Sequence, residues 1–130
     1  MNHSDTEPQR DPLTGKVIGL AIEVHRHLGP GLLESAYEEC LCWELKQAGL
    51  TVQRQTALPI VYKGVKLDIG YRVDVIVENR LILELKTVEK LLSIHEAQLL
   101  TYLRLTGLKT GLLINFNTAV LKDGIRRLVL

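Results

Sequence analysis

The sequence predicts an α/β domain, a mixed central sheet flanked by helices in the order α-βββ-α-β. Three observations lead there. Apolar residues recur at helical spacing over residues 12–28 and 32–48, ahead of any strand signal. Short segments rich in Val, Ile and Leu then follow, with connections too short to join parallel neighbours, so they must meander. A third helical segment, 93–106, is long enough to cross over to a nearly continuous apolar strand at 111–116.

Residues 1–11 are polar and are expected to form a flexible tail, leaving 12–130 as a single domain. In the first helix Leu13, Val17, Leu20, Ala21, Val24 and Leu28 share one face, and Gly29-Pro30-Gly31 ends it. His25 and His27 are expected to face solvent. The second helix carries an apolar stripe through Leu33, Tyr37, Leu41, Leu45 and Ala48, and stops at Gly49. At roughly 100° per residue Glu34 falls inside that stripe, where a carboxylate needs a partner. Segments 51–55 and 58–62 read as strands, with a turn at Lys63-Gly64. Residues 65–77 are expected to run as one strand with an irregularity at Gly70. Residues 81–88 form the next. Ser93-Ile94-His95-Glu96 reads as a capping box opening the third helix, which Gly107 closes. Asp123-Gly124 makes the turn before the last strand, 125–130.

The stretch 71–86 organises the chain. It reads as a hairpin turning at Glu78-Asn79-Arg80, its apolar pattern interrupted by Asp74, Glu84 and Lys86. Pairing Val77 with Leu81 across a three-residue loop sets Val75 against Leu83 and Val73 against Leu85. All six aliphatic side chains then share one face. The same register places Asp74 opposite Glu84 on the other face, with Lys86 two residues along. A two-residue loop would mix charges into the apolar face. Two carboxylates roughly 5 Å apart at Cβ, beside an ammonium, can bind a cation. Taken alone, the trio also suits a solvated sheet face with a cross-strand ion pair.

The 130 residues are 46% apolar and 24% charged, with a formal net charge of +1, which lacks the basic balance of a dedicated nucleic-acid module. Nucleic acid contact therefore needs a local patch or a bound cation. Cys40 and Cys42 lie two apart on a helix, which suits neither a disulfide nor a shared metal site and fits free thiols in a reducing cytoplasm. No apolar run is long enough to cross a bilayer.

The ordered set Asp74, then Glu84-Leu85-Lys86, then Gln98-Leu99-Leu100-Thr101-Tyr102 resembles the PD-(D/E)xK nuclease-like superfamily. Within it, Gly31-Leu32-Leu33-Glu34-Ser35-Ala36-Tyr37 spells the motif that names the GxxExxY proteins. The resemblance spans about residues 13–128. It implies a restriction-endonuclease-like core, in which Asp74 matches the metal-binding aspartate, Glu84 and Lys86 the E-x-K, and Glu34 the upstream acid. Gln98 and Tyr102 match the Q-x-x-x-Y of the exonuclease-like branch.

The implied activity is Mg²⁺-dependent hydrolysis of nucleic acid, DNA or RNA, with Mn²⁺ as a substitute. Asp74 and Glu84, with Glu34 directly or through a water, would hold the ion, which activates a water and offsets phosphodiester charge. Lys86 would orient that water or stabilise developing charge. Gln98 and Tyr102, four apart on one helix face, would support Lys86 or touch substrate. A nuclease-fold binding or accessory module and a homo-oligomer whose paired surfaces form the groove are the other readings. No membrane partner is expected.

Overall fold

The computed structural model describes residues 11–130. Helix α1 spans Pro12–Leu28, with proline at its first turn, where a missing N–H is harmless. Asp11 caps it: the Thr14 hydroxyl donates to Asp11 Oδ2 at 2.6 Å. The same carboxylate pairs with Arg127 at 3.2 Å, tying the helix start to the far end of the chain. The tail expected over residues 1–11 otherwise lies outside the described residues.

Helix α2 follows at Glu34–Gln47, then strands β1 Val52–Ala57, β2 Ile60–Tyr62, β3 Val65–Leu67, β4 Arg72–Val77 and β5 Leu81–Lys86. Helix α3, Ser93–Thr106, crosses to β6 Thr110–Asn115. A 3-10 turn, Leu121–Gly124, leads into β7 Ile125–Val129. Five strands form one sheet in the order β1-β4-β5-β6-β7. Only β5 and β6 are parallel, joined by the α3 crossover; the other neighbours are antiparallel. This is the mixed α/β architecture of a restriction-endonuclease-like core.

Two apolar layers cover the sheet. On one side Val17, Ala21 and Val24 of α1 and Tyr37, Leu41 and Leu45 of α2 pack on Val75, Val77, Leu83 and Leu85. On the other, Leu99, Tyr102 and Leu103 of α3 pack on Ile76, Ile82 and Leu113. Gly111 lets α3 approach closely, because a Cβ there would lie 2.8 Å from Leu99 Cδ1.

Four expectations need correction. Residues 65–77 do not run as one strand: the chain breaks around Gly70, at φ +89°, and β3 pairs with β2 in a separate two-stranded sheet. Ser93 does not cap α3 but is its first helical residue. The cap position is Leu92, whose N–H donates to His95 Nδ1 at 2.9 Å. His25 is buried, and its Nε2 lies 2.8 Å from the Thr118 carbonyl oxygen. Finally, Val73 does not join the other five hairpin aliphatics but packs in the α3 layer. The alternation slips at Asp74, where the backbone pairing lapses.

Candidate active site

Strands β4 and β5 pair in the predicted register, Val77↔Leu81, Ile76↔Ile82 and Val75↔Leu83, around Glu78-Asn79-Arg80. Glu78 and Asn79 both take left-handed φ, at +53° and +52°, as a primed hairpin turn requires. One position further from the turn, side chains replace the ladder. The Asp74 backbone N–H donates to Glu84 Oε1 at 3.1 Å, and the Leu85 backbone N–H donates to Asp74 Oδ2 at 2.9 Å. Each carboxylate thus accepts from the opposite strand.

Glu84 is only 4% exposed, and Asp74 is half-buried. Burial first, then the adjacent Asp74 carboxylate, push Glu84 up to about 8; the Asp74 N–H and Lys86 pull the other way. Asp74 is raised as well, chiefly by burial, with the Leu85 N–H opposing. Lys86 is half-buried, and its positive charge reaches Glu84, Asp74 and Glu34. Among the described residues its ammonium has no hydrogen-bond or ion-pair partner.

Lys86 is fixed from behind. The Phe116 N–H donates to the Lys86 carbonyl oxygen at 2.9 Å. Asn115, 2% exposed, grips Val88 twice, accepting from its N–H at 3.1 Å and donating to its carbonyl at 2.9 Å. Sequence reasoning missed Asn115. Its signal was an amide at the end of an otherwise apolar strand.

Glu34 opens α2 and lies exposed, not in the buried stripe the wheel assigned it. A wheel places residues by angle alone, and the first helical residue sits where the apolar layer has already ended. It remains within electrostatic reach of the site: partial desolvation and the charge of Asp74 raise its pKa while Lys86 lowers it. The preceding loop is held by Tyr37, whose ring stacks on Phe116 at 4.5 Å and whose hydroxyl bridges the Gly29 carbonyl and the Leu32 N–H. Gly31, at φ +98°, makes the bend no side chain favours.

The buried acid of α2 is Glu38, one turn later, which the sequence reading did not single out. Arg54 Nε donates to Glu38 Oε2 at 3.1 Å, and Gln55 Nε2 donates to Oε1 at 2.8 Å. The Gln55 amide also lies 3.4 Å from Asp74 Oδ1. Gln55 reaches both from a left-handed backbone, φ +49°, an uncommon state for a residue with a Cβ. No local pattern marks this chain of contacts, because β1 supplies Arg54 and Gln55 from an ordinary-looking strand.

On α3, Gln98 Nε2 donates to the Tyr102 hydroxyl at 3.1 Å, so the two act as one unit. Tyr102 is buried within electrostatic reach of Glu84 and Asp74, and burial followed by those charges raises its pKa.

A family model described as the PD-(D/E)XK nuclease superfamily matches residues 11–128. The chain belongs to that superfamily. A search of the curated proteins and a search of the solved structures returned no match. Superfamily members generally use divalent metal ions. The residues present fit such an ion. Among the described residues no three His, Cys, Asp or Glu side chains gather as a metal-holding group; Asp74 and Glu84, bonded across β4 and β5, are the carboxylate pair that would hold one. Two carboxylates, with other positions left to water and a substrate phosphate, suit Mg²⁺, which dehydrates reluctantly. Carboxylate oxygens are the hard donors such an ion prefers.

Proposed function

We propose that the protein is a metal-dependent nuclease of the GxxExxY branch, hydrolysing phosphodiester bonds in nucleic acid at Asp74, Glu84 and Lys86. The observation carrying this reading is the reciprocal bonding of Asp74 and Glu84, which holds two carboxylates together, largely out of water, beside the Lys86 ammonium, which has no partner among the described residues. Asp74 and Glu84 would hold Mg²⁺, or Mn²⁺ in its place. When bound, the ion lowers the pKa of a water and offsets charge on the phosphodiester. Lys86 places a positive charge next to the reacting phosphate and stabilises negative charge there as it develops. Glu34 holds a water at the open side of the pair. Gln98 and Tyr102 bound the site on the α3 side and orient substrate.

The protein is incubated with single- and double-stranded DNA and RNA, with and without Mg²⁺. Cleavage that depends on the ion and disappears in Lys86→Ala supports the reading; cleavage that survives this substitution sinks it.

One observation favours a second reading, a nuclease-fold binding or accessory module: a net charge of +1 gives little general attraction for phosphate. Calorimetry with no heat of Mg²⁺ or Mn²⁺ binding at millimolar concentration decides for it. Cys40 and Cys42 are both free, in keeping with a reducing compartment such as the cytoplasm. No helix among the described residues is long and apolar enough to cross a membrane.

A further inference from the structure

The β2–β3 hairpin has no counterpart in the site's chemistry, yet it stands beside it. Its register, Ile60↔Leu67 and Tyr62↔Val65, puts these four side chains on one face. Tyr62, Val65 and Leu67 of that face are all exposed. Water-facing apolar surface of this extent on a small hairpin marks a binding surface.

The face leads to the active site. Ile60 lines a cavity of about 350 Å³ with Tyr71, His95, Gln98 and Tyr102. The Tyr71 ring stands edge-on to Tyr102 at 6.3 Å. Tyr102 packs in one buried layer with Val73, the residue before Asp74 on β4. A group held in this cavity therefore lies on the side of β4 that leads to Asp74.

Charge is concentrated here as well. Residues 60–72 contain Lys63, Lys66 and Arg72 against Asp68, a balance of +2 within a chain whose total is +1, so the remaining residues sum to −1. The Lys63 ammonium sits 5.5 Å over the Tyr62 ring, so positive charge and aromatic surface lie together at the hairpin tip.

An apolar, aromatic wall with lysines at its border matches bases whose faces are free and a backbone carrying phosphates. A duplex hides its base faces in the stack and offers phosphates and groove edges, which would leave this wall without a partner. We infer that the substrate is an unpaired nucleic acid strand, with bases along the β2–β3 face and in the Tyr71–Tyr102 cavity, and phosphates toward Asp74 and Glu84. This rests on the nuclease reading for the role of the carboxylates.

The test uses the full chain and a fluorescein-labelled oligothymidylate, alone or annealed to oligodeoxyadenylate. Anisotropy is read in Ca²⁺, and cleavage is read separately in Mg²⁺. The single strand is expected to bind more tightly by about tenfold or more, the scale of one or two base-stacking contacts. Tyr71→Ala, and separately the double variant Tyr62→Ser with Val65→Ser, should weaken single-strand binding by about fivefold or more and leave duplex binding unchanged. These positions are exposed, and circular dichroism with a melting curve checks that the variants fold.

Equal or tighter duplex binding, or variants that bind the single strand normally, overturns the inference. So does light scattering that finds a dimer which the double variant converts to monomer without loss of strand binding. Metal-dependent cleavage of duplex, unaffected by the hairpin variants, overturns the strand assignment and leaves the nuclease reading standing. Single-strand binding at the hairpin with no metal-dependent cleavage of any substrate does the reverse.

Discussion

Asp74 and Glu84 are joined by exchange: the Asp74 N–H bonds the Glu84 carboxylate, and the N–H following Glu84 bonds the Asp74 carboxylate. In a regular sheet those N–H groups would bond carbonyls of the neighbouring strands. The carboxylates have taken their place, so the site is made from the sheet's own backbone valence. Ladder pairing from Val75↔Leu83 to Val77↔Leu81 remains to hold the strands at the correct distance.

Function and structure should separate at these positions. Lys86→Ala is expected to lower cleavage about 10²- to 10³-fold, the usual cost of removing one preorganised charge-stabilising group. Metal binding, read by calorimetry, should survive it. Glu84→Gln keeps an oxygen acceptor for the Asp74 N–H but removes a charge, so it should abolish metal binding while the fold persists.

The protonation of Glu84 gives a stability test with a definite sign. Its folded pKa of about 8 exceeds the ordinary 4.5, so below 4.5 both folded and unfolded chains carry the proton and there is no penalty. As pH rises from there through 8, the unfolded chain releases the proton more easily. The metal-free protein therefore loses stability across that window, by on the order of a few kcal/mol. Urea melts at a series of pH values should show the loss. Glu84→Gln should flatten it, and saturating Mg²⁺ should reverse it.

Gln55 ties Glu38 to Asp74 from a left-handed backbone, and two substitutions distinguish its roles. Gln55→Ala removes the amide and leaves buried Glu38 short of a donor, at a cost of about 1–3 kcal/mol. Gln55→Gly removes the same amide but relieves the backbone. It should be more stable than the alanine variant by about 1 kcal/mol, with cleavage equally reduced in both. Thermal melts of the pair, alongside one activity assay, check this.

Tyr37→Phe keeps the stack on Phe116 and deletes the hydroxyl that bridges Gly29 and Leu32. A loss of about 1–2 kcal/mol is expected, because the hydroxyl's two partners are left without it. Cleavage should fall further than stability explains, since the same loop delivers Glu34. Comparing the variant's melting temperature with its kcat at a temperature where it is fully folded separates the two effects.

Much of this was legible from residue order alone. Alternation of Val, Ile and Leu set the hairpin register, because a one-residue slip would have buried charge. Helix ends at Gly29, Gly49 and Gly107 were readable because glycine relieves a left-handed cap. Three things were not. The departure of Val73 from its neighbours depends on the pairing lapse at Asp74, which no pattern shows. Glu38 looked like any helical acid until β1 placed Arg54 and Gln55 against it. The split of residues 65–77 followed from β3 finding β2, a choice between two partners that local sequence leaves even. Propensity and periodicity describe one segment at a time, whereas each of these is decided by a partner far along the chain.

The exchange of bonds between β4 and β5 also creates two natural reporters. The Asp74 and Leu85 amides each end on a carboxylate oxygen, while Ile76 and Ile82 are held within the ordinary ladder. An amide proton facing a carboxylate shifts its resonance when that carboxylate gains a proton or a cation. In a ¹⁵N-labelled sample these two peaks would therefore follow the chemical state of the pair, with the ladder amides as an internal standard. The backbone would announce what the side chains have bound, with no probe added to the site and no substrate present.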